Sequence, residues 1–371
     1  IEMIETIKVS GAENGFFGKW AGYQASVITQ KMKYEKISSI IGMLPLCIST
    51  LTSVLVLMMG VYYVMDGRFT VGMLLAFQGF LNGFMNPAEK LISAGQSITE
   101  MRTDMERIED VMNYPSALTQ DKEISKDIVY TKLSGNLEMK NVSFGYTKLG
   151  DPLIENFNLS IKAGQRIAFV GPSGCGKSTI SKLIAGLYEP WSGEILFDGK
   201  KINEIDRNVF TGSLAVVDQD IIMFEDSIAG NIKMWDNTVE DFEMIMAARD
   251  AQIHEDIMQR EGGYNYKLSE GGRNFSGGQL QRMEIARVLA QDPTIVIMDE
   301  ATSALDAKTE YDVVKSIKDR GITCIVVAHR LSTVRDCDEI IVLDRGKVIE
   351  RGTHEELYQK GGLYTKLVTN E

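Results

Sequence analysis

The sequence has 371 residues, of which 44% are hydrophobic and 24% charged, with a formal net charge of −12. That length calls for more than one domain, and the acidic balance disfavours nucleic acid as a partner. Its four cysteines, Cys47, Cys175, Cys324 and Cys337, lack paired or metal-type spacing, which excludes a disulfide scaffold and points to reduced thiols.

Hydropathy is concentrated near the start of the chain. Residue Ile1 already lies in a helical pattern, so we expect these residues to be the tail of a longer polypeptide. Residues 37–65 contain no Asp, Glu, Lys or Arg. As a helix this run spans about 40 Å, enough to cross a bilayer with some tilt. After Asp66-Gly67-Arg68, a second uncharged run covers residues 69–88, about 30 Å as a helix and enough for a second crossing. Lys19, Lys31, Lys33 and Lys36 precede the first run, and Lys90, Arg102 and Arg107 follow the second. Positive charge at both outer ends places them on the cytoplasmic side, with Tyr62 and Tyr63 at the far interface. In the second run Gln78, Asn82 and Asn86 form one polar face beside the close-packing pair Gly79 and Gly83. That face either lines a pathway or glues helices together.

Leu91, Ala94, Ile98, Met101, Met105, Ile108 and Met112 recur three or four residues apart, the stripe of a helix that continues into the cytosol. Asn113-Tyr114-Pro115 ends it, and the polar stretch 116–134 reads as a linker. From Gly135 onward strand and helix patterns alternate, with glycine-rich turns, as in an α/β domain.

The strongest chemical signal is Gly171-Pro172-Ser173-Gly174-Cys175-Gly176-Lys177-Ser178-Thr179. It follows an apolar strand and opens a helix, the context that a phosphate-binding loop requires. Its backbone amides and the helix N-terminus would close around phosphate oxygens. Lys177 would contact the β- and γ-phosphates of ATP and Ser178 would bind Mg²⁺. Further on, Ile295-Val296-Ile297-Met298-Asp299-Glu300 is a buried strand ending in two acids. Asp299 would hold Mg²⁺, and Glu300 would orient or deprotonate the attacking water.

Asn274-Phe275-Ser276-Gly277-Gly278-Gln279 resembles the signature sequence of ABC ATPases, with Phe275 where Leu is most usual. Ser276 and the glycine amides at a helix start suit a γ-phosphate, although a Gly-Gly helix cap would read the same way in isolation. Other residues match the family in order. Tyr146 resembles the aromatic that stacks on adenine, or is simply an edge-strand Tyr. Gln219 resembles the glutamine that reaches Mg²⁺ and senses the membrane domain. Ser303-Ala304-Leu305-Asp306 resembles the loop that crosses between paired sites, and His329 the switch histidine at the γ-phosphate. His254 and His354 match nothing and read as surface residues.

The resemblance extends to residues 1–115, which look like the end of an exporter transmembrane domain. Gly11 to Trp20, with Phe16 and Phe17, looks like a coupling helix that docks on a nucleotide-binding domain, or is an amphipathic turn at the membrane surface. This segment, with Tyr23-Gln24-Ala25 and Val64-Met65-Asp66-Gly67, most resembles peptidase-containing bacteriocin exporters. What the resemblance implies is an α-helical transmembrane segment (1–115), the linker, and an α/β P-loop NTPase domain of ABC type (135–371). It also implies ATP hydrolysis with Mg²⁺, a homodimer sandwiching nucleotide, a bacterial inner membrane location with a cytoplasmic nucleotide domain, and a peptide substrate. Rival readings are export of lipid or small hydrophobic compounds, a non-transporting ABC ATPase clamp, and a module that binds nucleotide without turnover.

Overall fold

The structure, a computed structural model, describes residues 4–114, 131–218, 220–299, 301–302, 304–327 and 334–369. Gln219, Glu300, Ser303, His329, Pro115 and most of the linker lie outside the described residues. The chain divides into two compact units, Ile1–Pro115 and Ser116–Glu371.

The first unit is helical: α1 (Ile4–Val9), α2 (Glu13–Met65) and α3 (Val71–Met112). Helix α2 passes without interruption through Pro45, which removes one amide from the ladder. It is long and apolar enough to cross a membrane, and at about 1.5 Å per residue its 53 residues reach well beyond a bilayer. A tight turn follows, in which Arg68 pairs with Asp66 at 2.8 Å. The hydroxyl of Thr70 then accepts from the Met73 amide at 3.3 Å and caps α3. Helix α3 is 42 residues long and, among the described residues, carries the apolar stretch Val71–Met85 directly after its Thr70 cap. The two helices approach closely where Gly60 meets the Leu74 side chain, and both residues are buried. Tyr62, Tyr63 and Phe69 cluster at the turn, with centroids 5.8 Å apart for each successive pair. Gln78 and Asn82 lie on α3; the Asn86 side chain lies outside the described residues.

The second unit runs β1 (Leu137–Phe144), β2 (Ile154–Ile161), β3 (Arg166–Val170), α4 (Lys177–Ile184), β4 (Ser192–Phe197), β5 (Lys200–Lys201), α5 (Arg207–Ser213) and β6 (Leu214–Val217). It continues with α6 (Ile228–Lys233), α7 (Asp241–Asp250), α8 (His254–Met258), α9 (Gly277–Ala290), β7 (Ile295–Asp299), α10 (Ala307–Asp319) and β8 (Thr323–Val327). The last elements are β9 (Glu339–Asp344), β10 (Lys347–Gly352), α11 (His354–Lys360) and α12 (Leu363–Thr369). A six-stranded sheet has the order β10-β9-β3-β8-β7-β6, parallel except for the β9–β10 hairpin, and a four-stranded antiparallel sheet has the order β2-β1-β4-β5.

Strand β3 shows why its sequence is an unbroken apolar run. Alternate residues serve opposite faces: Ala168 and Val170 pack into the core of α7, α9 and α10, while Ile167 and Phe169 pack toward α4 and the antiparallel sheet. Both faces of the parallel sheet are thus covered, and its C-terminal edge is left to carry chemistry.

Two expectations about histidines are corrected. His254 and His354 are half-buried, not surface groups. The Nδ1 atom of His254 bonds the Tyr264 hydroxyl at 2.9 Å, and that of His354 bonds the fully buried Tyr364 at 2.8 Å. Each tyrosine needs a polar partner because its ring is packed inside.

Candidate nucleotide site

The parallel strands bring the end of β3, where the phosphate loop begins, and Asp299 to one edge of the sheet. Phe169 on β3 and Asp299 on β7 both pair with Val327 of the intervening β8. Asp299 therefore sits level with the end of β3, about 10 Å across the sheet by strand spacing.

From β3 the chain turns into the loop 171–176 and then into α4. Gly171 has φ +154°, and a Cβ there would run into the Leu343 carbonyl oxygen, so only glycine fits. The Cys175 carbonyl accepts from the Gly346 amide at 2.9 Å, tying the loop to the β9–β10 turn. The Cys175 thiol itself is buried in the core shared with the antiparallel sheet, so the loop offers its backbone and not this side chain. Ser173, Gly174 and Ser178 are exposed at the opening of α4. Lys177 is buried to 5% exposure, its Nζ donating to the carbonyls of Gly171 at 2.7 Å and Pro172 at 3.2 Å. The ammonium is thereby held inside the loop's curve, where phosphate oxygens would be its natural partners.

Tyr146 is 58% exposed, and its hydroxyl lies 3.0 Å from the Thr179 hydroxyl. Phe144 and Tyr188 each hold its ring edge-on, with centroids 5.5 Å away. One ring face is braced and the side chain is fixed beside the helix that follows the phosphate loop, an arrangement suited to stacking a base.

Ser276 is the N-cap of α9. Its hydroxyl accepts from the Gln279 amide at 3.3 Å, and the Gln279 side chain returns the bond to the Ser276 amide at 3.1 Å. This capping box leaves the first amides of α9, including those of Gly277 and Gly278, at the positive end of a helix. Gln279 also donates to Asp256 at 3.0 Å. A Cβ on Gly278 would lie 3.0 Å from the Ala304 carbonyl oxygen, and the Gln281 side-chain oxygen Oε1 accepts from the Ala304 amide at 2.9 Å. The start of α9 thus grips the chain that follows Asp299 and Glu300. Asp306 caps α10, accepting from the amides of Lys308 and Thr309 and, at 2.7 Å, from the Thr309 hydroxyl. The Thr309 hydroxyl and these amides hold its carboxyl below the usual carboxylate range.

Arg287 carries a network that the motifs do not reveal. Its guanidinium donates to the carbonyls of Asn231 at 2.8 Å and Ile222 at 3.1 Å, and pairs with Glu284 at 2.5 Å. Asn231 in turn donates to the Phe224 carbonyl at 3.0 Å and accepts from the Phe224 amide at 2.9 Å. The signature helix is therefore latched to the segment just beyond Gln219. Burial pushes the Glu284 carboxyl up, against the pull of Arg287 and helped by the Asp218 carboxylate, and burial pushes Arg287 down. For both groups, loss of water outweighs mutual attraction, as is usual for a buried pair. Replacing Arg287 by Ala leaves a buried carboxylate unpaired and should cost about 3–5 kcal/mol of stability. Thermal unfolding of the solubilised chain measures it. A midpoint unchanged from wild type contradicts the network's structural role.

Residues 154–303 match the family model described as ABC transporter, and residues 1–88 match that of the ABC transporter transmembrane region. The chain is 36% identical over 324 residues to the β-(1→2)glucan export ATP-binding/permease protein of Agrobacterium fabrum, covering 86% of this chain and 54% of that protein. It is 34% identical over 367 residues to the exotoxin translocation ATP-binding protein of Pasteurella aerogenes, covering 98% of this chain and 51% of that one. The chain thus spans about half the length of these curated relatives. Among solved structures, a bacterial Atm1-family ABC exporter with ATP bound superposes with a TM-score of 0.86 at 32% identity, over 99% of this chain and 64% of that one.

Proposed function

The chain belongs to the ABC transporters, carrying their transmembrane region ahead of an ABC-type α/β nucleotide domain, and from that membership we propose that it is the ATP-hydrolysing part of an exporter. The observation that carries this reading is the C-terminal edge of the parallel sheet. There the phosphate loop, the inward-held Lys177 and the carboxylate-bearing end of β7 are brought to one level. The residues also fit Mg²⁺. Ser178 and Asp299 are hard oxygen donors on neighbouring elements, Gln219 would be a third, and a magnesium ion needs only one or two protein ligands beside phosphates and water. Such an ion would neutralise charge on the β- and γ-phosphates. Glu300 acts on water, His329 contacts the γ-phosphate, and Tyr146 stacks on the base.

Two copies of the chain close head to tail, each nucleotide lying between one phosphate loop and the other chain's Ser276, Gly277, Gly278 and Gln279, with Asp306 nearby. Gln219 and the aromatic segment at Phe16, Phe17 and Trp20 carry closure to helices set in a bacterial inner membrane. The nucleotide domain lies on the cytoplasmic side. We assign a bacteriocin-like peptide as substrate, supported by the bacteriocin-exporter resemblance of residues 16–25 and by the toxin-translocating relative. The glucan-exporting relative supports a non-peptide alternative, tested by vesicle uptake of labelled peptide against labelled glucan or lipid.

Phosphate release from ATP tests the core of the proposal. It should require Mg²⁺, cease in excess EDTA, and fall by at least about 10²-fold in Lys177→Ala, which removes the charge held against the transferred group. Turnover in EDTA, or an active Lys177→Ala chain, overturns the assignment.

A further inference from the structure

Phe275 is the one signature residue that departs from the pattern the rest of the motif follows, and its surroundings contain a partner that leucine could not hold. We propose that Arg260 is a positioning residue whose guanidinium, seated on the Phe275 ring, sets how Ser276 and the start of α9 are presented to nucleotide. This rests on the reading in which Ser276 meets a γ-phosphate.

The Arg260 guanidinium carbon lies 4.5 Å from the Phe275 ring centroid and 5.5 Å from that of Tyr266. The two rings stand edge to face, 6.1 Å apart. The cation is therefore flanked by the negative faces of two aromatics, an attraction that an aliphatic side chain cannot supply. Arg260 also donates to the Asn274 carbonyl at 3.4 Å. Asn274 is gripped from its other side as well: its amide donates to the Tyr266 hydroxyl at 3.2 Å and the Lys267 carbonyl at 3.3 Å. Its side-chain oxygen Oδ1 accepts from the Ser269 amide and hydroxyl. Phe275, at 8% exposure, occupies the position directly before the N-cap, whose packing fixes the angle at which a chain enters a helix.

The clamp reaches further. The Tyr266 carbonyl accepts from the Ile228 amide at 3.0 Å, and the Leu268 amide donates to the Asp226 carbonyl at 2.8 Å. The strip carrying Tyr266 is thereby paired to the segment that runs from Gln219 into α6. Arg260 thus sits where that segment, the strip 266–268 and the entry to α9 meet. A shift in the segment would reach Ser276 through the stacked cation.

The test is a double-mutant cycle in the full chain, reading kcat, KM for ATP and the stoichiometry of nucleotide bound. Arg260→Gln and Phe275→Leu should each lower kcat about fivefold, equivalent to ~1 kcal/mol at 1.4 kcal/mol per tenfold. KM and binding stoichiometry should stay within about twofold, since neither residue touches the phosphate loop. The double variant should be no worse than either single, because both remove one contact. Arg260→Lys, which keeps the cation, should recover to within about twofold of wild type. Losses that multiply to about 25-fold, an Arg260→Gln chain with unchanged kcat, or a loss explained by fewer binding-competent molecules each overturn the proposal. Ser276→Arg separates the levels: its full activity would reject the signature reading itself. Its inactivity alongside multiplicative losses would reject only the role of Arg260.

Discussion

A Glu300→Gln chain should bind Mg-ATP with near-normal affinity and hydrolyse it about 10²–10⁴-fold more slowly than wild type, the range for loss of a positioned general base. The expectation comes from the residue's place in the chain. Strand β7 is buried from Ile295 to Met298 and delivers Asp299 to the sheet edge at the level of the phosphate loop. In the proposed mechanism the next carboxylate in the chain, Glu300, acts on the water that attacks the terminal phosphate. Glutamine keeps the size and hydrogen-bonding capacity but cannot take a proton. Equilibrium binding of a fluorescent nucleotide, measured beside single-turnover phosphate release, separates affinity from chemistry. A variant that turns over at the wild-type rate removes Glu300 from the mechanism. A wild-type chain that binds ATP and releases no phosphate supports instead a module that senses nucleotide without hydrolysing it.

Mixing two inactive chains should restore nucleotide trapping. Lys177 and Ser276 each stand at the start of a helix, α4 and α9, and a single γ-phosphate held by both requires two positive helix ends to face one another. In the proposed dimer these ends come from different chains. A Lys177→Ala chain and a Ser276→Arg chain should both fail to trap ATP as homodimers. In the mixed dimer one site carries both lesions and the other carries none, so one nucleotide per dimer should become occluded. Sites built within one chain would each retain a lesion, and no trapping would return. The measurement uses differently tagged chains purified as heterodimers, with Glu300→Gln in both to stop hydrolysis. Heterodimers that form but trap no more ATP than either homodimer reject the shared-site arrangement.

Much of the candidate site was legible because its chemistry is local in sequence. A phosphate loop needs consecutive backbone amides at a helix start, so Gly171 to Thr179 declare themselves by spacing alone. The same is true of Ser276 with Gln279, since a capping box is a three-residue relation. Cys175 shows the limit of that logic. It lies within the loop, yet its side chain turns into the core while its backbone faces outward. For the two half-buried histidines no spacing rule applies; each is fixed by a tyrosine hydroxyl that the fold brings to it.

Sequence by itself determined the class of the molecule: a helical segment with membrane-length apolar runs, then an α/β nucleotide domain whose loop, acidic strand end and signature arrive in order. These are consequences of period, residue type and near-neighbour spacing, which the chain carries wherever it is folded. Tertiary structure decided which polar groups lose their water. Glu284 and Arg287 are three apart on a helix, a spacing equally suited to an exposed ion pair. Only the packing of Asn231 and of residues 222–223 against α9 turns them into a buried latch, with side-chain exposures of 12% and 9%. Arg260 is likewise an ordinary surface cation in the sequence, and it becomes a clamp only because Tyr266 and Phe275 are folded to either side of it. Desolvation depends on every neighbour at once, and those neighbours come from parts of the chain that no local pattern connects.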